Sequence, residues 1–174
     1  MAFADSYNIL YDNNGNIVEK ANFEYEYDGF NRLVRVLDDG RVLEQYSYDH
    51  SGNRIKKVEY LDSGTRTTYY PSKNLVRVVD SSGTLDTYYF YDDFGNLLYR
   101  RDHDGDKYYY HPDHLGSTTL ITDEEGNVEE ETSYLPFGEV FEGGNDRFTY
   151  TGKELDLCQK STFNLNRKDY KLNF

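Results

Sequence analysis

A tyrosine–aspartate pair recurs along this chain, and each copy is followed by the same kind of tail. The copies read YDNNGNIV, YDGFNRLV, YDHSGNRI and YDDFGNLL. Their paired residues are Tyr11 and Asp12, Tyr27 and Asp28, Tyr48 and Asp49, and Tyr91 and Asp92. The first two intervals are 16 and 21 residues, and the third, 43 residues, spans about two periods. A repeat of this kind predicts an array of similar structural units and disfavours a single enzyme-like domain.

Two altered copies fill gaps in the series. Near Tyr70, Pro71 takes the place of the aspartate, while Asn74 still precedes an apolar pair. Another copy follows Tyr110 in the run YHPDHLGS. We therefore expect the repeat to continue through both segments.

Short strands bounded by turns account for most of the sequence. Residues 23–27, FEYEY, alternate aromatic and acidic side chains, which is the pattern of a half-buried strand. Asp39-Gly40 is a hairpin signal, because tight primed turns need residues that tolerate a positive φ. Turn signals recur at about 10 to 12 residues, and no stretch has a helical apolar stripe. The sequence predicts an all-β fold in which antiparallel strand-turn-strand repeats form a long twisted or spiral sheet.

The tyrosine–aspartate turn has a physical rationale. An aspartate that follows a strand accepts hydrogen bonds from backbone N–H groups two residues on, which closes an Asx-turn. The Gly or Asn after two variable residues permits a left-handed conformation. The tyrosine packs its ring on neighbouring repeats while its hydroxyl reaches a polar partner. We interpret the paired residues as scaffold, with carbohydrate binding by the tyrosines as the alternative.

Composition narrows the classes of partner. The formal net charge of −13 disfavours nucleic acid and anionic membrane surfaces, because both require cationic side chains. No apolar run approaches the ~18 residues of a membrane span, so membrane insertion is not expected. A single cysteine excludes an internal disulfide framework. The first ten residues, MAFADSYNIL, lack the basic and apolar regions of a secretory signal.

Three motifs beyond the repeats carry a family resemblance. They are HPDHLGS at residues 111–117, YLPFGE at 134–139 and TGKE at 151–154. In this order, after YD repeats, they resemble the core region associated with RHS repeats, over about residues 8 to 156. The most specific positions are His111, Asp113, His114, Leu115, Gly116, Pro136, Phe137, Gly138 and Gly152. The resemblance divides the chain into a YD-repeat array (1–107), a core-like segment (108–156) and a divergent tail (157–174).

The resemblance implies a fold and a role. RHS and YD-repeat proteins wind a solenoid-like β-sheet into a hollow shell, which encloses a toxic C-terminal polypeptide in bacterial toxins. Related repeats form the barrel of the teneurin cell-adhesion proteins. In the toxins, an aspartate autoprotease at the end of the core releases the toxin. Residues 157–174, LCQKSTFNLNRKDYKLNF, depart from that pattern, so the resemblance carries over the shell and not the cleavage or toxicity.

Three groups of residues have the types that bind metals. His111, Asp113 and His114 lie close enough in sequence to bind zinc, and a metal-dependent hydrolase centred on them is one alternative function. Asp102, Asp104 and Asp106 place oxygen ligands at every other position, as calcium loops do, although a hairpin turn is the simpler interpretation. The acids at 123–125 and 129–131 flank one turn, so we expect like charges to face each other if their strands pair, unless a cation intervenes. No cofactor is expected apart from this possible Ca²⁺.

The leading functional prediction is a non-enzymatic RHS/YD-repeat scaffold, a component of a shell or of a secreted or cell-surface fibre. The alternatives are a self-assembling extracellular filament subunit, a glycan- or partner-binding adhesion module, and the hydrolase described above. The expected partners are copies of the chain itself, joined through open β edges, or a larger RHS polypeptide.

Overall fold

An antiparallel β-sheet dominates the chain in a computed structural model, which describes residues 9–136 and 138–156. Strands β1 to β13 form one sheet in which the strand order follows the sequence, and β14 and β15 form a separate pair. The described residues contain no α-helix, only a 3-10 turn at Tyr150–Gly152. None of their helical segments is long and apolar enough to cross a membrane. The predicted all-β fold of antiparallel strand-turn-strand repeats is confirmed.

The strands are short, and most hold four to nine residues. They are β1 Ile9–Tyr11, β2 Ile17–Lys20, β3 Phe23–Tyr27, β4 Leu33–Asp38, β5 Arg41–Tyr48, β6 Arg54–Leu61, β7 Gly64–Ser72, β8 Leu75–Asp80, β9 Gly83–Tyr91, β10 Leu97–Arg101, β11 Lys107–Pro112, β12 Thr118–Thr122, β13 Val128–Glu131, β14 Ser133–Tyr134 and β15 Val140–Glu142.

Two compact units divide the chain, Met1–Leu85 and Asp86–Phe174. The boundary falls inside β9 and does not coincide with the motif boundary at 107/108. The division into 1–107, 108–156 and 157–174 describes kinds of sequence, and it stays a prediction.

In the first unit, two kinds of turn alternate from β1 to β6, and two-residue turns then follow both β7 and β8. Five-residue turns follow the odd-numbered strands β1, β3 and β5, and two-residue hairpins follow the even-numbered strands β2, β4 and β6. The hairpin at Asp39-Gly40 has positive φ at both residues, 49° and 76°, as its sequence predicts. The buried side chains include Phe23, Val36 and Val76, but also Glu44, Lys57, Glu59 and Thr68.

In the second unit, five-residue turns follow β9, β10, β11 and β12. Tyr89, Tyr110 and Ile121 are its buried apolar residues. After β13, residues 132–156, which we call the return segment, fold back on β10 to β13 through the contacts described below. Phe137, within this segment, and the tail 157–174 lie outside the described residues.

A register shift accompanies the five-residue turns. The pairing slips by one residue beside the turns that follow β1, β3, β5, β9, β11 and β12. Such a bulge sets two residues of one strand against one of its partner and increases the local twist.

Candidate functional site

The five-residue turns are built around one carboxylate. In the first of them, Asp12 Oδ1 accepts hydrogen bonds from the backbone N–H groups of Asn14 at 2.8 Å and Asn16 at 2.9 Å. Asp12 Oδ2 accepts a third bond from the Asn16 side-chain amide at 2.8 Å. The Asp12 N–H donates to the Asn16 carbonyl at 2.9 Å, and the Gly15 N–H donates to the Asp12 carbonyl at 3.1 Å. The aspartate thus closes the turn with both its backbone and its side chain.

Six turns of the described chain repeat this arrangement, and we call them aspartate turns. In each, Oδ1 accepts the N–H groups of the third and fifth residues of the turn. The six aspartates are Asp12, Asp28, Asp49, Asp92, Asp113 and Asp123. The predicted Asx-turn is therefore present at all four YD copies and at two further positions.

Hydrogen bonds to these carboxylates favour their ionised form. In five of the turns the side chain of the fifth residue donates to Oδ2, from an asparagine amide or, at Arg32, a guanidinium. That bond, reinforced by the backbone donors, holds the pKa of the carboxyl below its ordinary value at Asp12, Asp28, Asp49, Asp92 and Asp123. The fourth residue of each turn has a positive φ, 86° at Gly15 and 60° at Asn31, which explains the Gly or Asn of the motif.

Arg32 links one aspartate turn to the next. Its Nη2 lies 2.7 Å from Asp28 Oδ2, while its Nη1 donates to the Asp49 carbonyl at 3.0 Å. The guanidinium also lies 5.0 Å from the centre of the Tyr48 ring, and the Tyr48 hydroxyl donates to the Leu33 carbonyl at 2.7 Å. The tyrosine of this copy thus packs on the preceding repeat, as its amphipathic ring suggests.

The tyrosine is not what defines the turn. Pro112 precedes Asp113 and Thr122 precedes Asp123, yet both turns are complete. Conversely, the altered copy near Tyr70 does not form an aspartate turn, because β7 runs on to Ser72 and pairs with Leu75 across a two-residue turn. The signal that finds every aspartate turn is Asp, two residues, then Gly or Asn, and it is visible at 123–127 as DEEGN.

The turn at Asp102 keeps the backbone geometry but not the carboxylate contacts. The Asp102 N–H donates to the Asp106 carbonyl at 2.9 Å, whereas the Asp102 carboxylate lies 3.3 Å from Arg100 Nε. Its fifth residue, Asp106, carries an acceptor where the other turns carry a donor. Calcium at Asp102, Asp104 and Asp106 stays a prediction; within residues 9–136 and 138–156, no three His, Cys, Asp or Glu side chains are arranged to hold a metal ion.

The histidine motif is absorbed into the sheet and a turn. His111 Nε2 lies 3.0 Å from Thr122 Oγ1 on the neighbouring strand, and the Asp113 carboxylate caps its own turn. Leu115 and Gly116 are the third and fourth residues of that turn, with Gly116 at a φ of 82°. These contacts give the metal-dependent hydrolase no geometric support.

The expectation that acids face each other across the turn at 123–127 is wrong. The register places Glu130 opposite Ile121 and Glu131 opposite Leu120, because residues 123–127 form the turn itself. The carboxylate of Glu124 instead pairs with Lys107 Nζ at 2.6 Å. No cation is needed to explain the pairing of β12 with β13.

The three family motifs converge where the return segment packs. The Thr151 N–H donates to Ser117 Oγ at 3.1 Å, and the Thr118 N–H donates to the Thr149 carbonyl at 3.1 Å. The Tyr134 hydroxyl donates to the Thr118 carbonyl at 2.6 Å. HPDHLGS, YLPFGE and TGKE are therefore one contact cluster, in which Ser117 is fully buried. Gly138 lies so close to the Tyr150 ring that a Cβ would overlap it.

A buried ion pair joins the return segment to β10 and β11. Arg100 Nη1 pairs with Asp146 Oδ2, and the Tyr110 hydroxyl donates to Asp146 Oδ1 at 2.9 Å. The Phe148 N–H donates to the same carboxylate at 3.0 Å, and the Phe148 ring meets Tyr89 edge-on at 5.0 Å. Burial raises the pKa of Asp146 while Arg100 opposes that rise, and burial also raises the pKa of Tyr110. The spacing of Arg100, Tyr110 and Asp146 along the sequence does not predict that they are in contact.

The return segment also contacts the end of β13. A Cβ on Gly143 would collide with the Glu131 carbonyl oxygen, so this glycine lies directly against the strand. The Gly144 N–H donates to Thr132 Oγ1 at 3.1 Å, and the Asn145 N–H donates to Glu130 Oε1 at 2.7 Å. The last strand of the sheet is thus bound by its own chain.

Comparison with known proteins agrees with this geometry. The profile of the family described as Teneurin YD-shell matches residues 3–173. The chain is 30% identical over 159 residues to the tRNA3(Ser)-specific nuclease WapA of Bacillus spizizenii, with 85% of this chain and 7% of that protein covered. It is 28% identical over 169 residues to Teneurin-1 of Gallus gallus, with 91% and 6% covered.

A solved structure shares the fold. The Tc holotoxin pore of Photorhabdus luminescens superposes with a TM-score of 0.73 at 21% identity, over 86% of this chain and 8% of that one. The chain therefore spans less than a tenth of the length of each of these three proteins.

Proposed function

This chain belongs to the Teneurin YD-shell family, and on that premise we propose that it is a structural scaffold, a segment of sheet that lies alongside further RHS or YD-repeat polypeptide outside the cell. The observation that supports the proposal is the set of contacts that the recurring polar residues make. The repeated carboxylates close their own turns, and the family motifs bind the return segment to the sheet. Both uses are architectural.

The relatives support the proposed location and the proposed partner. A teneurin and a toxin-complex protein share the repeat or the fold, which supports a secreted or cell-surface location and a larger repeat polypeptide as neighbour. The match to the WapA nuclease covers only 7% of the length of that protein. We therefore do not assign nuclease activity to this chain.

Two measurements on the purified chain test the scaffold. Replacing Asp28 or Asp92 by Ala removes three hydrogen bonds to each carboxylate, so thermal unfolding should shift to lower temperature. Nuclease, protease and glycosidase assays should stay at the blank level. Turnover that is lost in the His111→Ala variant and kept in Asp28→Ala would contradict the proposal and restore the hydrolase.

The location is tested separately in the native host. Protease treatment of intact cells should remove the chain, detected with an antibody, while a cytosolic marker protein survives. Survival of the chain in intact cells and its loss only after lysis would contradict the external location.

A further inference from the structure

Tyr99 and Tyr109 lie side by side on the neighbouring strands β10 and β11. We propose that this pair is a site of oxidative cross-linking, at which a one-electron oxidant, such as a peroxidase with hydrogen peroxide, joins the two rings as dityrosine. The new bond ties β10 to β11 across the turn at Asp102. This inference goes beyond the scaffold function, and its chemistry requires neither the location nor the partner proposed above.

The register of the sheet brings the two phenol rings together. Tyr99 is the direct partner of Tyr109 in the ladder between β10 and β11, and their ring centres lie 5.6 Å apart with a tilt of 34°. Rings at this separation are in contact. Groups that a fold holds in contact react much faster than the same groups meeting by diffusion. The two strands therefore hold the coupling partners in place before any oxidant arrives.

The neighbours of the pair direct its coupling. Phe90 is the partner of Tyr99 on β9, and the two rings stack with centres 4.3 Å apart and 7° between their planes. A phenylalanine ring has no hydroxyl, so it does not form the phenoxyl radical that coupling requires. On the other side of the pair, Tyr109 is opposite Thr122 of β12. For a radical on either tyrosine, the phenol among its cross-strand partners is the other tyrosine.

The pair lies on the face of the strands that points away from the return segment. Arg100 and Tyr110 bind Asp146 of that segment, and Tyr110 is only 7% exposed. Successive side chains of a strand point to opposite faces, so Tyr99 and Tyr109 lie on the other face. Both are half-buried, which leaves part of each side chain in contact with solvent. A diffusible oxidant therefore reaches this pair more readily than it reaches Tyr110.

A second tyrosine pair shows that distance alone does not make such a site. The ring centres of Tyr134 and Tyr150 are also 5.6 Å apart, at an angle of 58°. Coupling uses the Cε carbons, and Cε1 of Tyr150 lies 2.6 Å from where a Cβ on Gly138 would stand, so that carbon is covered. The Tyr134 hydroxyl donates to the Thr118 carbonyl, and burial raises the pKa of Tyr134, which opposes loss of its proton.

The reaction balances with the two rings and the oxidant alone. Each phenol gives up one electron and its hydroxyl proton and becomes a phenoxyl radical. The radicals combine by forming one bond from a Cε of Tyr99 to a Cε of Tyr109. The hydrogen on each coupled carbon then moves to the phenol oxygen, which restores both hydroxyls and both aromatic rings. Hydrogen peroxide accepts the two electrons and two protons and becomes two molecules of water.

Oxidation of the purified chain by a peroxidase and hydrogen peroxide, in dilute solution, tests the site. The monomer should lose the mass of two hydrogen atoms and gain dityrosine fluorescence. Trypsin cleaves between the two tyrosines, so peptide 78–100 should be recovered joined to peptide 108–147. Tyr99→Phe and Tyr109→Phe should each remove this linked peptide while keeping the packing of the ring. Tyr88→Phe, at a more exposed tyrosine on the same face, is the matched control and should keep it.

Oxidation in urea separates a pair held by the fold from chance encounters among 19 tyrosines. Unfolding should lower the yield of the linked peptide and spread the coupling over other tyrosines. The cross-linked folded chain should also melt several degrees higher, because the bond removes conformational freedom from the unfolded chain. A monomer that stays unmodified, cross-links only between chains, a linked peptide that survives in Tyr99→Phe or is lost in Tyr88→Phe, or an equal yield in urea would each overturn the proposal.

Discussion

The two compact units of this chain achieve the same sheet by different means. In the first, each aspartate turn is closed by contacts within five residues, and a longer contact, from Arg32 to the Asp49 carbonyl, reaches the next repeat. In the second, the return segment joins residues far apart in sequence, as Asp146 does with Arg100 and Tyr110. Repetition therefore supplies local order, while a non-repeating segment supplies the long-range contacts of the second unit.

Removal of the buried carboxylate of the second unit should have the largest effect. We expect Asp146→Ala to lower the free energy of unfolding by about 3 kcal/mol, because it removes the buried acceptor that Arg100 Nη1, the Tyr110 hydroxyl and the Phe148 N–H share, while Asp102 still pairs with Arg100 Nε. Asp62→Ala is the control, since Asp62 pairs with Arg41 at a side-chain exposure of 92% and such pairs contribute about 0 to 1 kcal/mol. Urea denaturation measures both. Equal losses in the two variants would contradict the contrast between local and long-range contacts.

A glycine pair sharpens the same contrast. Gly143 and Gly52 have similar positive φ values, 78° and 86°, but a Cβ at Gly143 meets the Glu131 carbonyl and one at Gly52 meets nothing within 4 Å. We expect Gly52→Ala to cost about 1 kcal/mol for its left-handed backbone and Gly143→Ala clearly more. Gly52→Asn should cost less than Gly52→Ala, because Asn31 occupies the equivalent position at a φ of 60°. Thermal unfolding of the three variants ranks them, and a milder effect at Gly143 than at Gly52 would show that the return segment does not press on β13.

Acid should weaken the aspartate turns. Their carboxyl pKa values are lowered in the folded state, so the stability they contribute is present above the unfolded pKa of about 4 and is lost as pH falls through the folded values. The melting temperature should therefore be steady from about pH 7 to pH 5 and fall below about pH 4. Asp92→Asn removes one of these groups and should show a shallower fall. A melting temperature that rises with acid would contradict the lowered pKa values.

The smallest expected effect is a gain. Asp106→Asn should raise stability by about 0.5 kcal/mol, because an asparagine amide at the fifth position donates to the aspartate in the turns at Asp12, Asp49, Asp92 and Asp123. The same variant tests the predicted calcium loop, because it removes one of three carboxylates. If calorimetry detects Ca²⁺ binding to the wild type and Asp106→Asn weakens it, the turn is a cation site; if the variant is stabilised and neither protein binds Ca²⁺, the turn is a hairpin only.

Local chemistry explains what was predictable from the sequence. Strands, turns and the Asx hydrogen bonds follow from residues within a few positions of each other, which is why they are present where the sequence indicates them. Strand faces are harder, because alternation does not say which face is buried: β6 buries Lys57 and Glu59, whereas Tyr60 is exposed. The prediction that the repeat continues near Pro71 was wrong for the turn. The apolar tail resembles the repeat there, but the aspartate that closes the turn is absent.

The candidate site shows a sharper limit. The family motifs are recognisable in the sequence. The contacts that bring Ser117, Tyr134 and Thr151 into one cluster depend on the path of the return segment. The pairing of Arg100 with Asp146 likewise has no periodic signal in the sequence, because Asp146 lies in the return segment and not in a repeat. Long-range contacts of this kind are found only from the three-dimensional structure, because the spacing of residues along the sequence constrains them only weakly.

The register shift beside the aspartate turns has a consequence for how such a chain changes length. Because pairing is reset at each of these turns, an exchange of genetic material that removes residues 28–48 would join Tyr27 directly to Asp49 and leave a complete Tyr-Asp junction. The strands on either side would still run antiparallel and present the same faces. Loss of a single residue inside a strand would instead move the remaining side chains of that strand to the opposite face of the sheet. Whole-repeat recombination is thus the change in length that this architecture accommodates.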